Sequence, residues 1–321
     1  MRNNMNNFTI GIDVGGTKTA YGLFDSNKNL IFKNRLPTNA NLDGQAFFDE
    51  IADNVNAILN QHQIHYSNLR GVGIGMPSYI FYEEGRIMKT ANLPKIKDFP
   101  ARSYLYKKLG GNIRIMLDND AHTAALAEHR NGAGRGFTHM LYCPVSTGIS
   151  TGIIIDNKLF RGRYGWAGET GHMIATPGEG IECGCGNRGC LMSYCSGAMI
   201  VKHVKQKILE GHKTIMLDMA GSHDAIDVLH ISQAYDLDDS LSIWAIDQMA
   251  KYMAVWLYNL YSALNINCFV LGGGLLNIGD KLFDPVKSMF NDLNHCDLPV
   301  YFKEAELGDD FGIVGAAELL F

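Results

Sequence analysis

Apolar and polar positions along the chain alternate between two rhythms. Short apolar runs at residues 8–12, 20–24, 71–77, 113–117, 140–145, 153–155 and 268–272 are bounded by glycine or by polar clusters, which predicts buried strands. Between them lie segments with helical spacing. Residues 43–61 place Ala46, Phe47, Ile51, Val55, Ile58 and Leu59 on one face. An alanine-rich stretch runs from Asp120 to Gly132, and Ser196 precedes a helix reaching Gly211. Residues 312–319 read as a closing helix. Residues 241–264 are apolar all round, which predicts burial between helices or in a subunit contact. Asp247, Gln248 and Lys251 inside that stretch argue against a membrane span. The mixture is that of an α/β protein.

The chain is best read outward from residues 113–132. An apolar strand stops at Asp118-Asn119-Asp120, and a helix follows. Strand ends of open α/β sheets are where ligands sit. A carboxylate beside an amide there accepts a proton and orients a hydroxyl. Asp at a helix start also serves as a simple cap, and residue type alone leaves both readings open.

Two glycine-rich turns join strand to strand. The first is Asp13-Val14-Gly15-Gly16-Thr17-Lys18; the second is Ser146-Thr147-Gly148-Ile149-Ser150-Thr151-Gly152. Glycine lets a backbone approach a phosphate closely, while Thr and Lys add donors. Their recurrence predicts an internal duplication whose halves hold one nucleotide. A buried strand ending in Gly272-Gly273-Gly274 offers another close approach. Asn92 lies in a polar loop, either solvated or facing the same site.

Composition narrows the classes. A net charge of −5 without a basic block offers nothing to nucleic acid. Residues 1–7 are polar and short, with neither a secretion signal nor room for a DNA-binding helix-turn-helix. Seven cysteines without a leader point to a reducing, cytoplasmic setting, where clustered thiols bind metal. Cys183, Cys185 and Cys190, with His172 upstream, form a ligand set that suits structural tetrahedral zinc. Cys143, Cys195, Cys268 and Cys296 are isolated and are expected in the core.

Taken together, Asp13-x-Gly-Gly-Thr-Lys18, Gly73-x-Gly-x-Pro77, Leu117-Asp-Asn-Asp-Ala121, Gly168-Glu-x-Gly-His172, Cys183-x-Cys-Gly-x-x-Gly-Cys190 and Gly272-Gly-Gly give the chain a resemblance. From Ile10 onward it resembles the ROK family (repressors, open reading frames and sugar kinases), in its bacterial hexokinase branch. The resemblance implies an actin-like ATPase, ribonuclease H-like fold of two α/β domains around a cleft. Residues 1–119 with 311–321 would form one domain. Residues 120–310, carrying the zinc knuckle 172–190, would form the other. It implies transfer of the ATP γ-phosphate to a hexose hydroxyl, usually O6, with magnesium and a structural zinc. By motif match Asp120 would be the base, and Asn119, Glu169, His172 and Asn92 would face the sugar. Gly15, Gly16, Thr17, Lys18, Thr147 and Gly148 would line the phosphates, Asp13 would sit near magnesium, and Gly273 and Gly274 would flank the nucleotide. A homodimer is expected, with sugar and ATP as ligands and neither nucleic acid nor membrane as partner. Glucose, allose, mannose and N-acetylhexosamines are the candidate sugars. One departure stands out: the family carries Glu two residues after the last zinc cysteine, and this chain has Met192. The competing readings are a sugar-responsive regulator of the same family and a non-catalytic sugar-binding relative.

Overall fold

A computed structural model describes residues 8–321, so the expectations drawn from residues 1–7 lie outside it. The described residues form two compact units: residues 8–142, 152–168 and 305–321 make the first, and residues 143–151 and 169–304 the second.

The first unit is built on a sheet of β1 (Phe8–Val14), β2 (Lys18–Phe24), β3 (Leu30–Pro37), β4 (Leu69–Met76) and β8 (Arg114–Asn119), ordered β3-β2-β1-β4-β8. β1 and β2 form the antiparallel hairpin around the first glycine turn. β4 runs parallel to β1, and β8 parallel to β4. The register pairs Asp13 with Gly75 and Gly75 with Asp118, so the carboxyl ends of the three strands finish level. Helix α1 (Gly44–Gln61), capped by Asp43, buries Phe47, Phe48, Ile51 and Val55 in a core with Ile10, Ile12, Ile74 and Leu117. A small antiparallel sheet of β5 (Ser78–Phe81), β6 (Arg86–Thr90) and β7 (Lys97–Phe99) follows β4, and α2 (Ala101–Lys108) precedes β8. Helix α3 (Asp120–Asn131) leaves the end of β8.

Strand β9 (Met140–Pro144) carries the chain from the first unit into the second; β10 (Gly152–Ile155) and β11 (Lys158–Leu159) follow it. β9 pairs antiparallel with β10, and β10 with β11. The second unit then adds α4 (Met192–Cys195), α5 (Gly197–Leu209), α6 (Met216–Ala220), α7 (Val228–Tyr235), α8 (Ser240–Leu264), β12 (Cys268–Gly272), α9 (Asp280–Leu293) and β13 (Tyr301–Glu304). β12 runs parallel to β13. The second sheet is ordered β11-β10-β9-β12-β13, repeating the plan of the first.

The last helix, α10 (Phe311–Glu318), packs on β1, β4 and α3. The strand glycines make that approach possible: a Cβ on Gly11 would sit 2.0 Å from the Ile313 carbonyl oxygen, and one on Gly73 1.8 Å from that of Ala316. Gly315 in turn lies against the Thr123 carbonyl of α3, where a Cβ would be 2.0 Å away. This packing carries α3 into the first unit, so the compact units part after Tyr142 rather than at the expected Asn119–Asp120 junction.

The all-round apolar helix, α8, packs against α4, α5, α7 and α9 of its own unit, the first of its two expected settings. One expectation changes. Cys143, Cys195 and Cys268 are buried as expected, but Cys296 is exposed in the polar segment after α9.

Candidate active site

In the first unit the carboxyl ends of β1, β4 and β8 bring Asp13, the glycine turn, Asn92, Asn119 and Asp120 to one edge. The turn closes on itself, Gly15 N–H donating to the Lys18 carbonyl at 2.9 Å, and leaves Thr17 and Lys18 exposed. Gly16 faces the side chain of Asn92, whose amide nitrogen would be 3.0 Å from a Cβ there. Asp13 is wedged against Gly312 at the start of α10, where a Cβ would come within 2.3 Å of its carboxyl group. Burial pushes the Asp13 carboxyl up to about 6, with Asp120 adding to the rise and Arg35 opposing it.

Asn119, not Asp120, is the N-cap of α3: its side-chain oxygen accepts from Ala121 N–H at 2.8 Å. Its amide nitrogen points to the Ser78 carbonyl at 3.4 Å. Asp120 is the first helical residue, half-buried, and accepts from Ala121 N–H at 2.9 Å. Burial pushes its carboxyl up, against the pull of that N–H and of His122. The positive end of α3 favours an ionised carboxylate, but burial outweighs it and the net shift of Asp120 is upward. A carboxylate with a raised pKa is the stronger proton acceptor once ionised.

The second unit gathers the other turn and the motifs expected to face the sugar. Ser146 N–H donates to the Gly148 carbonyl at 3.0 Å, and Gly197 N–H, opening α5, donates to the Ser146 carbonyl at 2.8 Å. Gly273 adopts φ 92, and a Cβ on it would lie 2.5 Å from the Val145 carbonyl oxygen. The expected nucleotide residues Thr147, Gly148, Gly273 and Gly274 thus meet around one turn. Segment 169–172 lies on it as well: a Cβ on Gly171 would be 2.3 Å from the Ile149 carbonyl oxygen. Thr170 locks it there, its hydroxyl 2.6 Å from that of Thr151 and accepting from the Trp256 indole N–H at 2.9 Å. Neither Thr170 nor Trp256 carries a sequence signal, because their partners are far along the chain.

His172 turns its two ring nitrogens different ways. Nε2 lies 3.9 Å from the Glu169 carboxylate, while Nδ1 lies 3.4 Å from Cys183 Sγ. Cys185 and Cys190 Sγ are 3.6 Å apart, and all four ligand atoms fall within 4.8 Å of one another. A tetrahedron with metal–sulfur arms of about 2.3 Å has sulfur–sulfur edges of about 3.8 Å, so these separations fit zinc. Burial and the neighbouring Cys185 and Cys183 thiols push Cys190 up to about 12. A coordinated cation reverses that tendency by deprotonating its thiols. Met192, half-buried at the start of α4, sets its methyl 3.5 Å from where a Cβ on Gly148 would be.

Among the described residues no helix is long and apolar enough to cross a membrane. The description "ROK family" matches residues 9–321. A glucokinase of Halalkalibacterium halodurans is 32% identical over 97% of this chain and 94% of its own length. The ROK hexokinase structure from Thermus thermophilus is 30% identical, with a TM-score of 0.83 and 97% of each chain covered. A Streptomyces griseus ROK glucokinase in complex with glucose and AMPPNP is also 30% identical, with a TM-score of 0.78 over 97% of this chain and 98% of that one. Repeated sheets, paired glycine turns and a carboxylate at the end of β8 are thus the actin-like ATPase fold, and the chain belongs to the ROK family.

Proposed function

We propose that this ATP-dependent sugar kinase transfers the γ-phosphate of ATP to O6 of a hexose, with Asp120 as the base. The observation that supports this most is Asp120 itself: a half-buried carboxyl at a strand end, beside Asn119 and within electrostatic reach of Asp13. Phosphoryl transfer asks mainly for positioning and charge neutralisation, and a carboxylate base suffices for the hydroxyl proton. Asn119, its oxygen spent on the cap and one amide hydrogen on the Ser78 carbonyl, has its second amide hydrogen left for a sugar hydroxyl. Glu169 and His172 Nε2 hold further hydroxyls, and Asn92 borders the first turn. Gly15, Gly16, Thr17, Lys18, Thr147 and Gly148 receive the phosphates, and Gly273 and Gly274 leave room for the nucleotide. Asp13 is the residue that would hold magnesium, which when bound neutralises charge on the phosphates.

His172, Cys183, Cys185 and Cys190 would hold zinc. With four protein ligands the site has no open position, so its role is structural. Cys185→Ser should abolish stoichiometric zinc and weaken hexose binding, because Glu169 sits in the same short segment as His172. Native protein purified without zinc would remove the metal from this account. Clustered free thiols suit a reducing, cytoplasmic setting, and a homodimer completes the reading, testable by light scattering.

The test of the whole is a panel of glucose, mannose, allose and N-acetylhexosamines with ATP and magnesium, reading ADP release and the phosphorylated position. Release with at least one hexose is expected. No release with any hexose, alongside measurable sugar binding, would favour the non-catalytic reading.

A further inference from the structure

His122, in the first turn of α3, stands four residues after Asp118 at the end of β8, and both side chains are sealed: 2% and 1% exposed. Its Nδ1 lies 2.7 Å from Asp118 Oδ1, and its Nε2 lies 2.7 Å from the Ala167 carbonyl oxygen. Both neighbours are acceptors. A neutral imidazole has one N–H, which would leave a ring lone pair against an oxygen at that distance. The ring that satisfies both contacts is the imidazolium, donating twice. Asp118 is arranged to hold it. Its Oδ1 also accepts from Asn119 N–H at 2.8 Å, and its Oδ2 accepts from Arg161 Nε at 2.7 Å. The Arg161 guanidinium in turn lies 3.8 Å from the centre of the Tyr82 ring. Asp118, Arg161 and Asp120 are the charged groups that act on His122, and Tyr82 backs Arg161. Burial pulls the imidazole down, but Asp118 outweighs it and the net shift is upward. Burial alone would raise Asp118, yet His122 and Arg161 hold it low.

The segment this cluster grips has little structure of its own. Residues 161–168 carry Gly162, Gly165 and Gly168 at φ 68, 94 and 103, and one backbone bond within them, Ala167 N–H to the Arg161 carbonyl at 3.1 Å, closes the loop. Ala167 is two residues before Glu169, and Asp120 is two residues from both Asp118 and His122. Resting on the kinase reading above, we propose that Asp118, His122 and Arg161 form a charged anchor that sets the Ala167–Glu169 backbone for the hexose. His122 is its positioning residue, acting through the Ala167 carbonyl two residues before Glu169.

The test compares the native protein with His122→Gln, which keeps one donor, and His122→Phe, which keeps none. Hexose and ATP constants are measured well below each melting temperature. Hexose KM should rise about tenfold in His122→Phe and less in His122→Gln, the scale of a lost charged hydrogen bond, with ATP KM within about twofold. Native kcat/KM for hexose should fall as alkali removes the second ring proton, and that limb should vanish in both variants. A spectrum of isotope-labelled histidine should show two N–H protons on His122 at neutral pH. A lower melting temperature with unchanged hexose KM would make the cluster a structural ion pair and overturn the proposal, as would a single ring N–H at neutral pH. If the native protein phosphorylates no hexose, the kinase reading fails on its own, and calorimetric hexose binding by the same variants still decides the anchor.

Discussion

The two glycine turns repeat one motif and are braced in opposite ways. The first, before Lys18, has charge at its root in Asp13 and at its tip in Lys18, and meets a side chain, that of Asn92, at Gly16. The second has no charged residue from Val145 to Gly152 and is held by backbone: the Val145 carbonyl over Gly273, and the Ser146 carbonyl on Gly197 N–H. A turn that neutralises charge works through movable side chains. A turn that sets shape needs neighbours that cannot yield. Substitution should therefore be tolerated at Gly16 of the first turn, which meets only a side chain, and punished at Gly273, which meets the backbone of the second, while loss of charge can be felt only at the first.

The largest break should come on the charged side. Asp120→Asn keeps the size and removes the proton acceptor, so kcat should fall about 10²-fold or more with hexose binding largely kept. Near-native turnover in that variant would reduce Asp120 to part of the helix start.

Paired alanine substitutions then test the bracing directly. Gly273→Ala must place a Cβ 2.5 Å from a carbonyl oxygen at φ 92, whereas Gly16→Ala meets only the movable Asn92 amide at 3.0 Å. The first should cost about 1–3 kcal/mol in stability and raise ATP KM by about tenfold or more; the second should change either only slightly. Equal effects on ATP KM would erase the distinction between the turns.

Met192→Glu brings a carboxylate to the neutral side. If position 192 faces the sugar, glucose KM should fall about tenfold, the worth of one charged hydrogen bond. A lower melting temperature with no gain on any hexose would mean that Met192 packs away from the pocket.

The smallest effect concerns the acid limb. Glu318, on α10, accepts from Lys28 Nζ at 2.9 Å, Arg130 at 2.7 Å and Asn131 at 3.1 Å. Burial would raise its carboxyl, but those three partners hold it below its ordinary value of 4.5. A depressed folded pKa contributes stability above the unfolded value and loses it as pH falls through the folded one. Glu318→Gln should therefore melt lower at neutral pH and lose less below about pH 4.5 than the native protein does. Parallel acid limbs in differential scanning would show that the cluster is energetically idle.

Much of this was legible in the sequence because the chemistry rests on residue types at short spacing. The glycine turns, the polar triplet after β8 and the cysteine knuckle are all local. The runs that form β1, β2, β4, β8, β9, β10 and β12 could be read too, since apolar runs bounded by glycine are short-range signals, whereas β3, β5, β6, β7, β11 and β13 lack such runs and escaped. What escaped was long-range. Arg161 reaches Asp118 across 43 residues, and Trp256 reaches Thr170 across 86. Helix α7 (Val228–Tyr235) escaped because it is only two turns long in a polar region. The line between the units was expected at the Asn119–Asp120 junction because the duplication implied it, and a repeat says nothing of where the last helix docks. The glycines of β1 and β4 are seats for α10, which packs on α3 and lies with it in the first unit.

That seating has a consequence for synthesis. Residues 305–321 belong to the first unit, and residues 143–151 and 169–304 to the second. During translation the second unit is complete once Glu304 has left the ribosome, while β1 and β4 still lack the helix that covers Gly11 and Gly73. The part made first is therefore finished last. Until α10 docks, one face of its sheet is open to solvent and to chaperones, and Asp13 lacks the Gly312 backbone against which it is wedged.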